Sequence, residues 1–226
     1  AYSNYSDPPS FPLEPNVFIQ LTHGFNFGNL SFDELLKQWP TRVKRLGVYE
    51  YYSVFISDHD MLPGGAGANV AYIRQQIERY AALDVASFSA ESSNNWGPNG
   101  RGYYLTSKLL WNPKADADAL LQDFYDKAFG PAAAVMKRYY NRFNPSEVGS
   151  IRPTVTGHLI GLSFQDIVEA STLAKGHPGV EARLDDLKQY LRYVELYWKL
   201  RREKNKMAGR NLYNNDFTIN FEQTNN

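Results

Sequence analysis

Apolar and polar positions alternate in one rhythm up to about residue 93 and in another beyond residue 97. In the first part, four short segments predict strands over residues 1–6, 16–22, 46–55 and 84–93, the middle two dominated by β-branched and aromatic residues. Helical spacing lies between them. Ser31-Phe-Asp-Glu34 has the Ser-x-x-Glu spacing of a capping box, followed by Leu35, Leu36, Trp39 and Val43. Pro40 sits inside that pattern and predicts a kink or a break. Residues 68–83 place Val70, Ile73, Ile77 and Tyr80 on one helical face. After Gly97 the pattern is helical throughout: 103–111, 115–129, 132–143, 163–175 (opened by Ser163-x-x-Asp166) and 180–206, with an irregular Asn-rich tail.

Strand and helix in alternation predict an α/β fold with parallel strands and helices packed outside. The Gly-rich stretch PGGAGAN at 63–69 fits neither phosphate-cradling pattern and reads as a flexible loop. The four units are therefore read as the second half of an eight-stranded TIM-type (β/α)8 barrel, followed by an α-helical region. The expected division is a half-barrel over 1–101, a helical bundle over 102–210 and the tail over 211–226. A half-barrel leaves a sheet edge and an inner face open, so an upstream barrel half is expected, on the same protein or a separate chain.

Function in such barrels gathers at the C-terminal strand ends. That rule selects His23 after the second predicted strand, Tyr49, Glu50 and Tyr51 on the third, and Asp58 in the loop beyond it. On the fourth it selects Glu91, Asn95 and Trp96. Alternation in SFSAE puts Ser87, Ser89 and Glu91 on one face, with Phe88 and Ala90 turned to the outer helices. On the neighbouring strand Glu50 is expected to point inward as well, because a carboxylate under packed helices is costly without a partner. Glu50 and Glu91 would then share one pocket as candidate catalytic carboxylates. Tyr49, Tyr51 and Trp96 would be stacking walls, and His23, Asp58 and Asn95 polar contacts. Each has a plainer reading: structural hydrogen-bond anchors for the two acids, loop packing for Trp96, and a polar loop for Asp58-His59-Asp60, since adjacent residues rarely converge on one metal.

Composition narrows the classes. The 226 residues carry zero formal net charge, which favours neither nucleic acid nor an anionic membrane. There is no apolar run of membrane-spanning length. The absence of cysteine excludes disulfides, thiol nucleophiles and Cys-based zinc sites, and fits an exported bacterial protein. Aromatics reach 15%, in keeping with a sugar-lining groove or with a ring-rich core.

Residues 103–140 carry Tyr104-Leu105, then Leu109 to Pro113, Asp116 to Asp118, and Phe129 to Ala133. With the upstream Tyr49-Glu50-Tyr51 and the small-residue strand ending in Glu91, these resemble the bacterial family known as domain of unknown function 4838. The resemblance implies a glycoside-hydrolase-like barrel, akin to family 20 hexosaminidases and α-glucuronidases, with a helical region after it. It implies an exported carbohydrate-active protein, secreted, periplasmic or on the cell surface. In those relatives the catalytic acid sits at the end of the fourth barrel strand, and this chain begins near the fifth, so the principal acid is expected upstream. The expectation is a part of a glycoside hydrolase that needs no cofactor and takes a carbohydrate substrate. The alternative is a non-catalytic carbohydrate-binding or protein-interaction module.

Overall fold

The computed structural model describes residues 1–54, 61–147, 149 and 152–207. Three parallel strands form one open sheet in consecutive order: β1 (Phe18–Thr22), β2 (Arg45–Tyr51) and β3 (Ser87–Glu91). Between them run α1 (Phe32–Gln38) and α2 (Val70–Ala82). Five further helices follow: α3 (Trp96–Trp111), α4 (Ala117–Phe129), α5 (Ala133–Asn141), α6 (Gly157–Leu173) and α7 (Pro178–Met207). The α/β alternation and the helical second part are thus as expected, but the sheet has three strands where four were predicted. Residues 1–6 make only an isolated bridge, Ser3 with Asn26, and lie along the outer edge of β1, where Thr22 N–H donates to the Ala1 carbonyl at 3.1 Å. Positive φ at Ser3 and the turn at Asn4-Tyr5 interrupt that segment, so it does not run on as a ladder.

Local rules account for most boundaries. Ser31 accepts from the Glu34 N–H while the Glu34 carboxylate accepts from the Ser31 N–H, so α1 starts with the expected capping box. At Pro40 the helix tightens into the 3-10 turn Trp39–Thr41 and stops. Helix α3 begins seven residues before the expected position 103, capped by Asn95, whose side chain accepts from Gly97 N–H. Pro98 is tolerated there because first-turn amides lack helical partners anyway. Helix α6 also starts early, at the cap Thr156, and Ser163 lies inside it, bonded back to the Leu159 carbonyl at 2.8 Å, instead of capping it.

Packing divides the sheet faces sharply. Strand register pairs Val48 with Phe88 and Glu50 with Ala90. These residues face α1 and α2 with Leu21 and Leu46, against Leu35, Leu36, Trp39 and Tyr80. A second core runs from Tyr52, Ile73 and Ile77 through Leu105, Leu121, Tyr139 and Ile167 to Leu191 and Val194. Helix α3 meets the 3-10 turn Ala66–Ala68, just ahead of α2, through a glycine pair: a β-carbon on Gly102 would overlap the Gly67 carbonyl oxygen. Within the helical part, the buried Asp166 carboxylate of α6 accepts from Arg138 Nε at 2.8 Å and from Arg142 Nη2 at 3.0 Å. Among the described residues, no helix is long and apolar enough to cross a membrane.

The core is rich in tyrosines. Burial pushes the hydroxyls of Tyr52, Tyr72, Tyr80, Tyr139 and Tyr140 above their ordinary range. In the unfolded chain these groups ionise near pH 10, whereas in the fold they stay protonated well above it. The stability they confer is fully present below about pH 10 and is lost as pH rises further, by roughly 1.4 kcal/mol per pH unit for each such tyrosine. The urea midpoint should therefore fall steeply above about pH 10. From about pH 10 upward, for as long as the fold persists, the ultraviolet phenolate signal of the folded protein should stay well short of that of the unfolded chain.

Candidate functional site

The open face of the sheet is built from the alternate residues. Gln20, Thr22, Gly47, Tyr49, Tyr51, Ser87, Ser89 and Glu91 share it by register. Gly47 has no side chain, so Gln20 Nε2 reaches across it to donate to Ser89 Oγ at 2.7 Å. Toward the C-terminal strand ends the face becomes aromatic and acidic. The rings of Phe25 and Tyr51 meet edge to face at 4.9 Å, and those of Tyr51 and Tyr49 at 5.5 Å. The Tyr49 hydroxyl donates to Glu91 Oε2 at 3.3 Å. Desolvation, then the Glu91 charge, raises the Tyr49 hydroxyl above its usual range. Desolvation and a hydrogen bond with Tyr2 do the same for Tyr51. Both phenols are therefore neutral donors at physiological pH, beside an exposed carboxylate.

Glu50 is not on this face. It lies beneath α2, 2% exposed, on the opposite side of the sheet from Glu91, so the two acids do not share a pocket. The expectation of an inward Glu50 assumed that a carboxylate under helices would have no partner. It has three. The Tyr80 hydroxyl donates to Oε1, Tyr72 Oη lies 3.0 Å from Oε2, and His23 Nδ1 lies 2.9 Å from Oε1. Tyr72 and Tyr80 come from the sheet-facing side of α2; Tyr80 reads in sequence as an ordinary member of the apolar stripe, and Tyr72 lies outside it. His23 sits at the end of β1 on the helix side, its ring stacked on Phe32 at 3.9 Å between centroids. It thus belongs with Glu50, not with Glu91.

Asn95 and Trp96 are brought together, but away from the tyrosines of the strands. They form one wall of a pocket of about 350 Å³ between α3, α4 and α7, lined also by Phe124, Tyr140, Arg183, Asp186 and Tyr190. Arg183, Asp186 and Tyr190 were not anticipated. They flank the apolar stripe of the long helix, and only the docking of α7 against α3 brings them into this pocket. Asp58 lies outside the described residues. Among the described residues no cluster of histidine and acidic side chains could hold a metal ion.

No curated protein and no solved structure matches the chain. A family model does, and it covers the three-stranded sheet, both candidate patches except the α7 wall, and the helices through α5. Over residues 1–141 the chain matches the family described as "Domain of unknown function (DUF4838)", and it belongs to that family.

Proposed function

We propose that the chain is the C-terminal part of a glycoside-hydrolase-type β/α barrel, in an exported carbohydrate-active protein, and that a sugar binds at the C-terminal strand ends. The observation that carries this reading is the uncovered sheet face. Parallel sheets are ordinarily covered on both sides. Here α1 and α2 cover one side, the strands follow in the order β1-β2-β3, and the other side presents serines, a glutamine, tyrosines and one carboxylate. Consecutive order with helices on one side suits a barrel wall, in which an upstream half would close the remaining face.

In this reading Glu91 accepts from sugar hydroxyls, Tyr49 donates, and the Phe25–Tyr51–Tyr49 rings pack against the C–H faces of the sugar. Glycoside hydrolysis uses two carboxylates across the scissile bond. Glu50 is unavailable for that work, so the partner of Glu91 would come from the upstream half. In the full-length protein Glu91→Gln should lower kcat/KM on a responsive aryl-glycoside at least about 100-fold without shifting Tm. Unchanged turnover and affinity would sink the strand-end site.

One observation favours a second reading, a non-catalytic carbohydrate-binding module: Glu91 is the one carboxylate that the described strands place on the open face. The two readings part in the same assay. Retained glycan affinity with no turnover of any aryl-glycoside by the full-length protein identifies a binding module.

A further inference from the structure

The pocket between α3, α4 and α7 takes no part in the strand-end reading. We propose that it is a separate carbohydrate subsite that holds one neutral pyranose unit; this rests on the carbohydrate reading of the chain. Its volume of about 350 Å³ is that of a small-molecule site. Its walls are rings. Trp96 is 63% exposed at the rim, an unusual position for so large an apolar surface, and Phe124 and Tyr190 stand with it.

Polar heads converge on the same space. Arg183 is pinned by its Nε, which donates to the Ala128 carbonyl at 2.7 Å. Asp186 stands one turn further along α7. Among the described residues neither has an ionic partner, and no ion pair joins them. A guanidinium donor and a carboxylate acceptor side by side match the adjacent hydroxyls of a sugar ring. Their charges cancel, which favours a neutral polyol over an anion.

The floor is made by giving up helix propensity. Helix α3 opens with Trp-Gly-Pro-Asn-Gly-Arg-Gly, a sequence so poor in helix formers that it reads as a loop. A β-carbon on Gly97 would come within 3.1 Å of Tyr190 Cδ1, and one on Gly100 within 3.2 Å of Trp96 Cε3. The missing side chains let both rings stand close to the helix backbone and keep the space between them clear. Local rules broken in this way are expected at functional positions. Trp96 follows Glu91 by five residues, a span of at most roughly 17 Å, so one glycan can occupy both places.

The test titrates the full-length protein with neutral methyl pyranosides (glucosides, galactosides and N-acetylglucosaminides). The signal is the indole N–H of Trp96 in nitrogen-15 NMR, assigned by its loss in Trp96→Phe. A saturable shift is expected in the wild type. Affinity should fall at least about ten-fold in Asp186→Asn, an exposed position where the fold is not at risk, and stay unchanged in Gly161→Ala, which lies outside both patches. No saturable shift with any pyranoside overturns the subsite, as does equal affinity in wild type and Asp186→Asn. Loss in Glu91→Gln alone places the sugar at the strand ends, overturning the subsite while sparing the carbohydrate reading. Loss in Asp186→Asn, with full-length turnover indifferent to Glu91→Gln, upholds the subsite and overturns the strand-end site.

Discussion

Replacing Glu50 by leucine is expected to destabilise the fold by about 3–5 kcal/mol, the range for removing one member of a buried charged network. The loss is not that of a carboxylate alone. Tyr72 Oη, Tyr80 Oη and His23 Nδ1 all converge on Glu50. Each would remain under α2 without its acceptor, at a cost of about 1–3 kcal/mol apiece before any rearrangement. Glu50→Gln keeps an acceptor oxygen, and its amide can donate to a tyrosine oxygen, so it should cost far less, about 1 kcal/mol. Combining Glu50→Leu with Tyr80→Phe should recover part of the loss, because removing both partners leaves less unpaired than removing one. Urea denaturation of the four proteins measures this directly. It also separates the two acids. Glu50 substitutions should move stability, whereas Glu91→Gln should leave it in place.

Gly102→Ala is expected to destabilise by more than about 3 kcal/mol, although the same change in an exposed helix interior stabilises by up to about 1 kcal/mol. The sign turns on one contact. The added β-carbon would overlap the Gly67 carbonyl oxygen and lie 2.9 Å from Ile73 Cδ1. Backbone cannot step aside as a side-chain tip can. Gly67 is itself held by donating its N–H to the Tyr52 carbonyl at 2.8 Å, and Tyr52 continues from β2. Gly161 supplies the control: it lies inside α6 with nothing near its would-be β-carbon, so Gly161→Ala should raise the urea midpoint.

These two positions also mark where the sequence was and was not readable. Capping chemistry and apolar spacing located α1, α2 and α4 within a few residues, because those signals act locally. Alternation correctly sorted Phe88 and Ala90 from Ser87, Ser89 and Glu91. Alternation divides β2 into two faces as well, but it does not say which face meets the helices. The cost of burying a carboxylate, taken alone, turns Glu50 to the wrong face. The penalty applies to an acid without partners, and the partners of Glu50 sit 27 residues before it and 22 and 30 residues after it. The register that pairs Glu50 with Ala90 decides the matter, and it is a tertiary fact rather than a local one. The start of α3 was hidden for the opposite reason. Its glycines and proline are locally unfavourable to a helix, and tertiary contacts with Trp96, Tyr190 and Gly67 override that preference.

The grip of Arg138 and Arg142 on Asp166 has a consequence for how this family is delimited. The matched region ends at residue 141, between the two arginines. Asp166 lies beyond it on α6, yet it bonds to the arginine on either side of that border. The same core that holds Tyr139 and Tyr140 continues to Leu191. The edge of the family match and the edge of the packed core therefore fall in different places. A protein cut where the match stops would expose a seam of aromatic side chains and a severed ion cluster. Expression boundaries chosen for relatives should follow the seam and keep both helices that close it.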